Sequence, residues 1–318
     1  MQQIIDIVLP VFCLIGAGYG AGVTGLLKKG TGQALSDYVY TIAVPLMLMR
    51  TLATSDVSMA NPWGLWFTYF TGVAIVWVAA SALMILVFKR GHRVGVSAGV
   101  AAGFSNLVLL GIPLVLQAYG EEGLLILFVL IGVHLPIMMI TSTFLMEYSL
   151  RADGIESGPI SIGRIVGNVA NNLLKNPIII GLFAGLILRF SGFQFSGVPE
   201  RVIGLFAQTA GPLALFALGM TLRHYTVKGD VVPAVLIALL GLIAMPAVVY
   251  VLSLHVLGLP VLWVKVLVLA AACPSGVNAY LIASQFKVGE GLAANCIVIA
   301  TAGSIFSLPI WLAISAQL

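Results

Sequence analysis

Charge is what this sequence has least of. Asp, Glu, Lys and Arg together make up only 8% of its 318 residues, against about a quarter in ordinary soluble domains. Hydrophobic residues reach 60%, and the mean hydropathy is +1.11. So few charges exclude a soluble enzyme domain. The net charge of +4 is too small and too scattered for a nucleic-acid footprint. Cysteine is nearly as scarce, and Cys13, Cys273 and Cys296 each stand inside an apolar run. Neither a disulfide framework nor a metal set is suggested, so all three are expected to be small buried hydrophobes. No cofactor is expected. The opening MQQIIDIVLP has no basic region, and its apolar stretch continues to Leu27. That is too long for a signal-peptide core, and it reads as a first membrane span.

Acidic residues are also missing from membrane depth. Asp6, Asp37, Glu147 and Glu290 fall near span ends, and the third apolar stretch, Trp63 to Phe88, has no charge. Coupling through a midplane carboxylate is therefore not expected. No nucleophile with a base, and no Asp/His ligand pair, falls within one stretch, so no catalytic residue and no metal ligand is expected.

What is present is a series of membrane-length apolar runs. They predict an all-α polytopic membrane protein with ten helices at about 4–26, 35–54, 63–88, 95–118, 122–147, 174–191, 201–223, 230–255, 261–285 and 290–314. The second and sixth are short, but Arg50 and Arg189 can snorkel to the interface at their ends. Basic residues divide unequally between the two sides. Lys28, Lys29, Lys89, Arg90, Arg93, Arg151, Arg164, Lys175, Arg223, Lys228 and Lys287 face Arg50, Arg189, Arg201 and Lys265. Basic loops stay in the cytoplasm, which puts both termini outside and the 148–173 loop inside.

An internal repeat is visible. Pro10 and Pro177, Gly18 and Gly185, and Pro45-Leu46 and Pro212-Leu213 stand 167 residues apart, and Glu122 to Leu124 and Glu290 to Leu292 stand 168 apart. An odd number of spans per repeat inverts the second copy. The expected organisation is a first five-helix repeat over 1–147, a cytoplasmic loop over 148–173, and a second, inverted five-helix repeat over 174–318.

Two stretches at corresponding places carry helix breakers. AAGFSNLVLLGIPLVLQAY, from Ala101 to Tyr119, holds Ser105, Asn106, Gly111 and Pro113. AAACPSGVNAYLIASQF, from Ala270 to Phe286, holds Pro274, Ser275, Gly276 and Asn278. Proline removes a helical hydrogen bond, and a half-helix beginning at such a break turns its amides and positive dipole end toward the membrane middle. Such breaks at matching places in two halves point to a transporter's binding site. Either stretch alone also fits a simple kink in a packed bundle. The substrate-binding candidates are Ser105, Asn106, Ser275, Gly276, Asn278 and Tyr280, with Gly111, Pro113 and Pro274 shaping the breaks.

FSNLVLLGIPLV resembles the fourth span of the auxin efflux carrier family, and CPSGVNAYLIASQF resembles its ninth. The resemblance covers essentially the whole chain, and the short central loop is similar to that of bacterial members. One departure is Ser105, where plant members commonly carry proline. The resemblance implies crossed, interrupted helices 4 and 9, a scaffold of helices 1, 2, 6 and 7, and a transport unit of helices 3–5 and 8–10. It also implies elevator-type alternating access, small organic-anion substrates of the auxin or malate/malonate kind, and a homodimer through the scaffold. The expected location is the bacterial inner membrane. A sodium-coupled carrier of the bile-acid type is the second reading, and an intramembrane enzyme or a sensor without transport a remote third.

His134 stands 12 residues past Glu122, about 18 Å along a helix. Both a neutral, hydrogen-bonded imidazole and a proton-sensing or substrate-facing one fit that depth. Trp63, Trp66 and Trp263 are expected in an outer aromatic belt.

Overall fold

The computed structural model describes residues 2–54, 62–155, 162–192, 196–225 and 227–318. Among these the chain is helical throughout, with one isolated antiparallel bridge between Ser105 and Ser275. Six helical stretches are long and apolar enough to cross a membrane: Ile4–Thr24, Trp63–Val87, Leu107–Ala152, Val198–Leu222, Val231–Val256 and Glu290–Ala316. Pro177–Phe190 and Val261–Ala271 are shorter apolar helices. The longest stretch is two limbs, because Gly120 at φ 66° and ψ −160° breaks it.

The chain forms two compact units. The first takes residues 1–62, 108–133 and 170–224. Here α1 (Gln2–Thr24) packs on α9 (Val198–Leu222), and α3 (Val44–Thr54) packs on α8 (Pro177–Phe190). Both contacts are made at glycine. A Cβ on Gly18 would overlap the main-chain carbonyl of Phe216, and one on Gly219 that of Ile15. A Cβ on Gly181 would stand 2.6 Å from the Pro45 carbonyl oxygen, and one on Gly185 2.9 Å from that of Met49. Lipid gives helices no hydrophobic reason to associate, so close main-chain approach over small residues supplies the contact through dispersion.

The second unit takes residues 63–107, 134–169 and 225–318. In it α4 (Trp63–Ala82) lies along α5 (His92–Gly103). Gly95, Gly99 and Gly103 recur every four residues on one face of α5, opposite Ile85, Trp77 and Val73. The Ser81 hydroxyl donates to the Gly95 carbonyl across the same seam at 2.9 Å. This ridge carries α5 to the point where helix stops, at Phe104. The unit also holds α10 (Val231–Leu239), α11 (Met245–Val251), α12 (Val261–Ala271), α13 (Val277–Gln285) and α14 (Glu290–Ala316), besides the helical residues within 134–169.

Three prolines owe their tolerance to a widened turn. The π-helical segments Val39–Ala43, Leu107–Gly111 and Leu240–Ala244 each end two residues before Pro45, Pro113 and Pro246. A proline ring clashes with the carbonyl four residues back, and one extra residue in the preceding turn shifts the hydrogen-bond ladder around it.

Several expectations need correction. The connection 148–173 is not simply a loop, because α6 (Ile112–Ala152) runs into it and α7 (Ile162–Leu174) occupies its end. Its sequence alternates Ile162, Ile165, Val166, Val169 and Leu173 with Arg164, Asn168, Asn171 and Asn172. That pattern suits a helix lying in a membrane interface. Residues 156–161, with Glu156, lie outside the described residues. Trp263 is buried rather than displayed, whereas Trp63 is 70% exposed. Cys273 and Cys296 are buried as expected, but Cys13 is exposed, on a face of α1 that no helix among the described residues covers.

Candidate functional site

The two breaker-bearing stretches meet. After Gly103 the chain leaves the helix for three residues, Phe104 to Asn106, and resumes at Leu107. Between α12 and α13 it leaves the helix from Ala272 to Gly276. The Asn106 amide donates to the Pro274 carbonyl at 2.8 Å, and the Gly276 amide donates to the Phe104 carbonyl at 2.8 Å. Each break thus satisfies groups that the other leaves open, which membrane depth requires where water is absent. Proline fits at 274 because only its carbonyl is used in this pairing.

Glycine at 276 has a steric cause. A Cβ there would lie 3.2 Å from the Phe104 oxygen and 3.4 Å from the Asn106 Cα. Gly276 is also the residue preceding α13, with φ −83° and ψ 160°. The first amides of that helix have no acceptor inside it, so its positive end opens at the pairing.

The side chains gathered here are short and polar. Ser105, Asn106 and Ser275 are all buried, at 5%, 4% and 6% exposure. The Ser105 hydroxyl rests 3.9 Å from the Met245 sulfur, a weak contact. The Ser275 hydroxyl has no hydrogen-bond partner among the described residues. Asn278 and Tyr280 follow on the first turns of α13, both half-buried. Tyr280 meets Tyr225 edge to face at 5.1 Å, and burial together with the Tyr280 phenol pushes the Tyr225 hydroxyl up to about 12.

Of the expected residues, the structure therefore brings together Ser105, Asn106, Pro274, Ser275 and Gly276. Gly111 and Pro113 stand apart from the break, five and seven residues beyond Asn106. Gly111 closes the π-helical turn that accommodates Pro113, and Pro113 faces Gly211.

His134 is buried at 4% exposure. Three rings enclose it: Phe104 at 5.0 Å and Tyr69 at 5.5 Å present edges, while Phe70 stacks at 6.3 Å. Sequence reasoning missed Tyr69, Phe104 and Met245. Tyr69 had one available signal, since its phenol is the sole ionisable group in α4. Phe104 and Met245 had none, being ordinary apolar residues until the fold places them.

The sequence profile of the membrane transport protein family matches residues 3–312. The chain belongs to this family. It is the family of the auxin efflux carriers, which the fourth and ninth stretches resemble. An uncharacterized transporter of Methanothermobacter thermautotrophicus is 26% identical over 316 residues, covering 96% of each chain. A protein of Rhizobium meliloti whose name proposes malonate transport is 26% identical over 315 residues, covering 96% of this chain and 93% of its own. An uncharacterized transporter of Methanocaldococcus jannaschii is 25% identical over 313 residues, covering 96% of this chain and 97% of its own. With its apolar helices and this membership, the chain is a multi-pass membrane transporter.

Proposed function

We propose that the protein is a secondary carrier of small organic anions, mono- or dicarboxylates, which binds its substrate at the paired helix breaks. The observation that carries this reading is the double main-chain pairing of Phe104 to Asn106 with Pro274 to Gly276, surrounded by buried hydroxyl and amide side chains. A carboxylate there gains from a helix N-terminus and from Ser105, Asn106, Ser275 and Asn278 as donors, with no fixed buried charge to neutralise it. The name of the Rhizobium relative makes malonate the first substrate to try.

The inverted ten-helix organisation, with helices 4 and 9 crossing at the pairing, gains support from the glycine contacts. A shift of 167 turns Gly18 into Gly185 and Met49 into Phe216. Gly18 lies against Phe216 as Gly185 lies against Met49. That helices α1, α3, α8 and α9 fall in one unit supports a scaffold, although that unit also takes residues 108–133, which the resemblance assigns to the transport unit; the transport cycle of this proposal is elevator-type alternating access. The positive-inside asymmetry supports termini outside the cytoplasm, and the membrane of this proposal is the bacterial inner membrane. A homodimer through the scaffold completes the proposal. It has no catalytic step.

The test is exchange of labelled malonate across proteoliposomes. Wild-type protein exchanges it, and Asn106→Ala, shown folded by gel filtration, loses at least tenfold. Unchanged exchange removes Asn106 from the site.

A further inference from the structure

We infer that His134 is a proton-binding site coupled to the anion at the paired breaks, so that carboxylate and proton cross the membrane together; this rests on the organic-anion reading above. His134 Nε2 is enclosed and has no hydrogen-bond partner among the described residues. A neutral imidazole serves no packing purpose that an apolar residue would not serve better, and an unsatisfied buried nitrogen is costly. The site is poised to gain something.

Its surroundings connect it to the breaks. Phe104, whose ring touches His134, supplies the carbonyl that accepts from Gly276. Tyr69, which also touches His134, has its hydroxyl beside the Ser105 side chain and near Cys273. Among the described residues of the elements packed around it, no fixed countercharge competes. From α4 the sole titratable group is Tyr69, from the α12–α13 break Cys273, and from α5 only His92 and Arg93 at its far end. Along its own helix the nearest charges are Glu122 and Glu147, 12 and 13 residues away.

A proton on Nε2 without an anion leaves a lone buried cation, eased only by the Phe70 face. A carboxylate at the breaks without the proton leaves a lone buried anion. Each therefore raises the affinity for the other, because each removes the other's desolvation penalty. Nε2 takes the proton from water on one side as imidazolium and returns it to water on the other, with no bond to the substrate.

The experiment uses proteoliposomes with malonate, the potential clamped at zero, and one pH unit imposed, acidic outside. Wild type accumulates malonate about tenfold per pH unit if one proton accompanies each anion. His134→Gln binds malonate more weakly and, at saturating malonate, brings it to no more than the outside concentration whatever the imposed pH difference. Equal accumulation by His134→Gln overturns the inference. Independently of that variant, wild-type protein in weakly buffered detergent takes up close to one proton per malonate bound, and uptake of none overturns it. Absence of malonate exchange by wild type overturns the anion reading and this inference with it. Exchange that ignores the pH gradient overturns this inference alone.

Discussion

Gly18 lies so close to the Phe216 carbonyl that no side chain, however small, fits between the two helices. Gly16, two residues earlier, has no heavy atom within 4 Å of where its Cβ would be. The same substitution should therefore have opposite effects on the two faces of one helical turn. Gly18→Ala forces α1 and α9 apart and should destabilise by about 1–3 kcal/mol, the usual cost of overpacking. Gly16→Ala should be neutral or stabilising by up to about 1 kcal/mol, from helix propensity alone. Thermal melting of the two variants in detergent checks the contrast.

Gly276→Ala tests the pairing of the breaks. Its methyl would press on the Phe104 oxygen and the Asn106 Cα, and neither is the movable end of a side chain. The expected result is a folded protein whose malonate exchange falls by tenfold or more. Full activity would mean that the two segments tolerate separation.

Asp153 should confer stability that depends on pH. Its carboxylate accepts from the amides of His92 and Arg93 at the start of α5, and pairs with the His92 ring at 2.8 Å. Burial pushes its carboxyl up, but these bonds outweigh it and hold the group below the ordinary range. A lowered folded value means the stabilisation is complete above about pH 3.9, the unfolded value, and fades as pH falls through the folded one. Asp153→Asn should cost about 1 kcal/mol at pH 7, the worth of a helix cap. The gap between variant and wild type should close as a denaturation series is carried below pH 4.

Lys287 holds φ 52°, a left-handed conformation that most side chains avoid. It ends α13, with its amide bonded to the Ser284 carbonyl and that of Val288 to Ala283. Glycine is the usual residue at such a helix end. Lys287→Gly should raise stability by up to about 1 kcal/mol, measured by thermal melting. Malonate exchange should not change, since Lys287 is outside the site.

Much of this was legible in the sequence, and for identifiable reasons. Apolar runs announce helices because a bilayer tolerates no unpaired backbone, and the Ser105-Asn106 and Pro274-Ser275-Gly276 clusters stood out as polar breaks in such runs. Where the first break falls was less legible. Gly111 and Pro113 were the conspicuous breakers, yet the helix stops at Phe104. Pro113 is absorbed by a π-helical turn that propensity does not foresee, while the bond from the distant Gly276 amide satisfies the carbonyl of a non-helical Phe104. The helix Ile162–Leu174 was hidden because its Asn and Arg content resembles that of a loop. The aromatic enclosure of His134 was hidden because Tyr69, Phe70 and Phe104 come from distant parts of the chain.

The hydrogen bonds joining Ser105's segment to Ser275's run between main-chain atoms, with proline and glycine chosen for shape. The architecture of the site is thus written in peptide groups, which every residue supplies alike. If the proposed anion site is right, the side chains at 105, 106, 275 and 278 set its selectivity rather than its frame, so substitutions among polar residues at these four positions should alter the size and polarity of the anion taken while the frame stays intact. A small combinatorial library at the four positions, screened for exchange of carboxylates of graded length, would explore that freedom directly.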